Sequence, residues 1–202
     1  MKSFSEIDTI AKRASKAVGF SWGIAEEVGK NIKLLEMFGL PGLKYLNHYF
    51  YSGQLNKNQR LTLISTKNIS KIPYCPIFSG ISFFDQINEL ENLKNIQIEN
   101  MSYPLLFLPF LSRASEVIGK KISFKFESNN FLLNFNQSIY SNFINKDILK
   151  LANLIEIEFI ENINTFNQQD WDNLYKLSTK TFVDESDELK KSAAGAGLTD
   201  ND

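Results

Sequence analysis

Residues able to do chemistry concentrate in two places, the stretch SWGIAEEVGK at 21–30 and the run AGAGLTDND at 194–202. A carboxyl group acts as general acid or base when it lies within hydrogen-bond reach of a substrate, which makes Glu26 and Glu27 the candidate catalytic residues. Neighbours on a helix point about 100° apart, so these two cannot face each other as a pair. The commoner arrangement pairs Glu26 with Lys30 at i,i+4 on a wet face while Ala25 and Val28 turn to the core. The sharper one buries one of the two acids beside Trp22, with Gly23 and Gly29 letting another segment approach closely. In the second stretch, Gly195 and Gly197 allow the backbone to thread a groove, and Asp200, Asn201 and Asp202 offer hard oxygens suited to Mg²⁺, Ca²⁺ or basic groups. Termini of small and polar residues are ordinarily mobile, which is the plain alternative for this tail.

A single histidine, His48, excludes multi-histidine zinc sites, and a Cys–His nucleophile pair would have to join it to the single cysteine, Cys75. A lone cysteine is more often a small packed hydrophobe. No GxGxxG, Walker loop, HExxH or EF-hand loop occurs, so no metal site is assigned and no cofactor is named.

The 202 residues carry a formal net charge of −1, which gives no electrostatic attraction to nucleic acid or an anionic membrane surface. The longest apolar run, YPLLFLPFL at 103–111, is too short to span a bilayer. The start, MKSFSEIDTIAKR, has no apolar h-region, and one cysteine allows no intrachain disulfide; a cytoplasmic location is the expectation.

The elements that must position these residues begin with a helix. Ser3 and Glu6 form an S-x-x-E capping box, and Ile7, Ile10, Ala11, Ala14, Ala17 and Val18 follow at helical spacing until Gly19. Ser21 caps a second helix with Ala25, Val28, Ile32 and Leu35 on one stripe, ending at Gly39 before Pro41. A third carries Leu43, Leu46, Asn47 and Phe50 on one side. LTLIS at 61–65 reads as a strand start, the region 66–100 is poorly patterned, and Pro73 and Pro76 place Tyr74 and Cys75 in a loop. Ile96–Glu99 predicts a strand, Pro104–Leu108 a doubly buried strand, and 109–118 a short helix in which Arg113 and Glu116 form a surface pair. ISFKF and FLLNF predict a hairpin around Ser128-Asn129-Asn130, with asparagine supplying positive φ. Leu154–Ile160 predicts another strand, and 168–179 a helix bearing Trp171, Leu174, Tyr175 and Leu177. The fold class expected is α+β: an N-terminal helical unit, a mainly antiparallel sheet, a late helix and an irregular C-terminal tail. Residues 1–184 are expected as one domain and 185–202 as the tail.

Taken together, AKRASKAVGFSWGIAEEVGK at 11–30, YPLLFLPFLSRA at 103–114 and AGAGLTDND at 194–202 resemble an uncharacterised bacterial family, domain of unknown function 3726. The resemblance runs essentially end to end, and implies a single-domain protein of about this length. By resemblance, Trp22, Gly23, Glu26, Glu27, Gly29, Gly195, Gly197, Asp200, Asn201 and Asp202 fall on the family's motif positions. Lys190 and Lys191 stand ahead of the tail where the family pattern leads us to expect arginine. The resemblance brings no activity, but a tail that is a family signature is expected to dock. Two functional expectations follow. The first is an accessory or binding protein whose tail contacts a protein partner, a second copy or its own groove. The alternative is a small-molecule hydrolase or lyase, with Glu26 or Glu27 as acid/base and the tail as lid.

Overall fold

The computed structural model describes residues 2–182 apart from 56, 137, 145 and 146. The boundary expected after residue 184, and with it Gly195, Gly197, Asp200, Asn201 and Asp202, lie outside the described residues.

Helix α1 (Phe4–Ala17) opens on the expected capping box, with the Ser3 N–H donating to Glu6 Oε2 at 2.8 Å and the Glu6 N–H to Ser3 Oγ at 3.2 Å. It buries Ile7, Ala11 and Ser15, while Ile10 stays exposed. Gly19, at φ 106, turns the chain into α2 (Trp22–Met37), whose buried residues include Ala25, Val28, Ile32 and Leu35. The two helices approach closely at Gly29, where a Cβ would lie 2.8 Å from the Asp8 carbonyl oxygen. Gly23 has open space around it instead. Helix α3 (Gly42–Tyr51) buries Gly42, Tyr45, Leu46 and Tyr49; of the expected face Leu43, Leu46, Asn47 and Phe50, Leu46 is buried, Leu43 and Phe50 pack half-buried on the core, and Asn47 is exposed. Its stripe is rotated because Tyr45 and Tyr49 both pack on Tyr103, with ring centroids 6.5 and 5.2 Å away.

Six strands form one mixed sheet: β1 (Lys67–Asn68), β2 (Asn95–Ser102), β3 (Lys121–Phe126), β4 (Asn129–Leu133), β5 (Ile139–Ser141) and β6 (Leu151–Ile160), in the order β1-β2-β6-β3-β4-β5. Only the β1/β2 pair is parallel. In the central β6, Ile155, Ile157 and Phe159 are buried while Glu156 and Glu158 point to the wet face, where Lys125 and Ser123 stand opposite them. The buried face carries Phe124, Phe126 and Phe131, and Phe107 joins them to Phe83 through centroid distances of 6.0 and 5.7 Å.

Several local expectations are corrected. LTLIS is not a strand; the Gln86 side chain holds it, donating to the Thr62 carbonyl at 3.0 Å and accepting from the Ile64 N–H at 3.2 Å. The region 66–100 contains α4 (Pro76–Asp85) and α5 (Ile87–Leu90), with Pro76 in the first turn of α4, where a missing N–H costs nothing. Pro104–Leu108 is no strand either. Tyr103 at φ 45 reverses the chain into one 3-10 turn, Pro104–Leu106, and α6 (Leu108–Ile118) follows with a proline in its first turn. Its apolar run is buried all round, as expected, but burial on every side does not distinguish strand from helix. The β3–β4 turn is Glu127-Ser128, and Glu127 at φ 50, not an asparagine, takes the left-handed conformation.

From residue 163 onward the chain forms a separate unit. Its described part holds α7 (Gln168–Ser178), capped by Asn167 and Asp170, with Phe166 stacked on Trp171 at 5.7 Å and no buried residue. Among the described residues, no helix is long and apolar enough to cross a membrane.

Candidate functional site

Helix α2 turns residues 25, 28 and 32 to the core, which leaves Glu27 and Asn31, one turn apart, facing α6. Arg113 of α6 completes the cluster: its guanidinium bonds Glu27 Oε2 directly and donates to Asn31 Oδ1 at 3.1 Å. The same guanidinium lies over the Phe84 ring of α4, 4.8 Å from its centroid. Lys30 Nζ closes the other side of the carboxylate at 2.8 Å. Two sequence expectations change here. Lys30 pairs with Glu27 at i,i+3, while Glu26 reaches Lys12 of α1 at 3.9 Å on an exposed face. Arg113 turns inward to α2 because its position on α6 faces that helix.

Burial pushes the Glu27 carboxyl up, but the hydrogen bonds and charges of Lys30 and Arg113 outweigh it and hold the group below the usual carboxylate range. Glu27 is therefore a fixed anion at neutral pH, poorly suited to donate a proton. Trp22 is exposed, with Lys16 Nζ 5.5 Å from its ring, and does not provide the apolar wall that a buried acid needs.

Cys75 and His48 engage different tyrosines. The Tyr49 hydroxyl donates to Cys75 Sγ at 3.1 Å, and His48 Nδ1 lies 2.9 Å from the Tyr103 hydroxyl. Burial pushes the Cys75 thiol up, and burial likewise raises the Tyr49 hydroxyl, so neither is primed as a nucleophile or base. Tyr49 and Asn31 carry no motif, and although Tyr103 and Arg113 lie in the block at 103–114, nothing in the sequence singled out any of the four for these contacts. Among the described residues, no group of three or more His, Cys, Asp or Glu side chains could hold a metal ion.

The other marked feature is a groove between α1 and α3. One hollow of about 460 Å³ follows α1 from Lys2 to Ile10, with Leu43 on the opposite wall. A second, of about 320 Å³, shares Ile10 and Leu43 with it and continues past Ala14 and Ala17 to Val18, facing Phe50 and Tyr51. The small side chains of α1 keep the groove open, and its walls are chiefly apolar.

Comparison with the curated proteins and with the solved structures gives no match. The family resemblance is borne out in the helical part of the chain: residues 2–75, which hold α1, α2, α3 and the segment through Cys75, match the family model described as Protein of unknown function (DUF3726), with the block at 11–30 inside that span and those at 103–114 and 194–202 outside it.

Proposed function

We propose that the chain is an accessory binding protein whose recognition surface is the α1–α3 groove, and that its own tail, residues 194–202, is the occupant. The two hollows along α1, which meet at Ile10 and Leu43, carry this reading. Nine residues in extended form reach about 30 Å. The 14-residue α1 that forms one wall is about 21 Å long, so the tail suffices to line the groove from end to end. Gly195 and Gly197, with the alanines between and before them, have the small cross-section that a channel walled by Ala11, Ala14 and Ala17 admits. Lys2, which lines the groove at its start, is the basic side chain there for the acidic end Asp200-Asn201-Asp202. The hydrolase alternative draws no support from Glu27, whose charge is committed to Arg113 and Lys30.

Hydrogen exchange tests this on the full-length protein and on a chain ending at residue 192. Loss of the tail is expected to speed exchange in 11–18 and 43–51, and a synthetic peptide of residues 190–202 to restore protection. Identical exchange in the two proteins would sink the proposal. Protection that depends on protein concentration would place the tail in a second copy instead of its own chain.

A further inference from the structure

A separate cleft of about 200 Å³ opens beside the α1–α2 turn, and its walls include Gly19, Phe20, Leu55, Asn58, Arg60 and Phe78. Arg60 is the one ionisable group among the lining residues, so the cleft carries a single, positive charge. Its guanidinium lies flat against Phe78 of α4, with Cζ 3.8 Å from the ring centroid. Among the described residues, no carboxylate pairs with Arg60 and no acceptor takes a hydrogen bond from its side chain. Arginine stacked in this way has one face withdrawn from water while its in-plane N–H fork stays free, the geometry that grips a carboxylate or phosphate through two parallel bonds.

The walls are fixed before any ligand arrives. Gln59, next to Arg60, is tied on both sides, its N–H donating to the Pro73 carbonyl at 2.9 Å and its carbonyl accepting from the Cys75 N–H at 2.9 Å. Across the cleft, the Gly19 N–H donates to the Lys16 carbonyl at 3.1 Å and the Phe20 N–H to Ser15 at 3.2 Å. Asn58 is oriented by Tyr49: its Nδ2 donates to the tyrosine oxygen at 3.3 Å, because the Tyr49 proton is used on Cys75. Its Oδ1 is left buried and without a donor among the described residues; being an acceptor, it offers an oxyanion no contact, and the grip falls to Arg60.

We infer that this cleft is a binding site for a small oxyanion, a carboxylate or phosphate group gripped by Arg60. At about 200 Å³ it is smaller than the roughly 300–1,000 Å³ of ordinary ligand pockets, which limits the ligand to a compact acid or a single phosphoryl group rather than a nucleotide. All its lining residues except Phe78 lie within the segment that matches the family model.

The test titrates inorganic phosphate and, separately, acetate into the full-length protein while backbone amide chemical shifts are followed. Saturable shifts at Gly19, Phe20 and Asn58 are expected with at least one ion. Affinity is expected to fall about tenfold or more in Arg60→Gln and to stay unchanged in Arg13→Gln, an exposed arginine on α1. Saturation by phosphate alone assigns a phosphoryl ligand; saturation by acetate alone assigns a carboxylate. Failure of both ions to saturate, or equal affinity in Arg60→Gln, overturns the inference. The exposure of Arg60 keeps its variant foldable, and a melting temperature within about 2 °C of wild type confirms that binding rather than fold was lost.

Discussion

Glu27 holds its negative charge between two cations at a site less than a quarter exposed, 23% for its side chain and 18% for that of Arg113. Because its folded-state pKa lies below the unfolded value, the stabilisation is full above about pH 4.3 and is lost as pH falls through the folded value. Glu27→Gln should therefore cost about 1–3 kcal/mol at pH 7 and far less at pH 3, measured by urea unfolding at both pH values. An equal cost at both would mean that shape, not charge, matters there. Cys75, 1% exposed and engaged by Tyr49, should react with a thiol reagent at pH 8 about a hundredfold more slowly in the native protein than in denaturant, read by mass spectrometry. Rapid native labelling would show that the loop before α4 opens readily.

At the scale of elements, two glycines that share one helix and one sequence motif should behave oppositely. Gly29 sits where α2 touches the Asp8 backbone and the Lys12 Cβ of α1, so Gly29→Ala should force the helices apart and cost about 1–3 kcal/mol. Gly23 meets nothing within 4 Å, and Gly23→Ala should stabilise the protein by up to about 1 kcal/mol through helix propensity alone. Thermal unfolding of the two variants checks both signs. The sequence makes α1, α2, α3, α6 and α7 legible, and in α1, α2 and α7 a capping side chain marks the start as well as the period marking the body. Helix α4, PIFSGISFFD, escapes because it is apolar on nearly every side and shows no wet face to set a period. The Glu27–Arg113 pair escapes for another reason: its partners stand 86 residues apart, and only the packing of α2 on α6 brings them together.

For the whole molecule, the fold class is plain in the order of elements, helices first and strands later. What the sequence leaves out is the β1-β2-β6-β3-β4-β5 order, in which the last strand is inserted at the centre between β2 and β3. Among the described residues the buried core lies before residue 163, and α7 buries none of its side chains. Removal of residues 163–202 should leave a folded remainder whose unfolding midpoint lies within about 4 °C of that of the chain ending at residue 192, a calorimetric measurement. A larger drop would show that the segment from 163 to 192 contributes to the core's stability.

The sheet ends on very short strands, two residues at one edge in β1 and three at the other in β5. An edge this brief offers an incoming chain only one or two unpaired backbone groups to copy. The same economy that finishes the sheet also denies it a template for fibrils, so growth by strand addition has little to copy at either border, and Lys67 adds a charge at one of them.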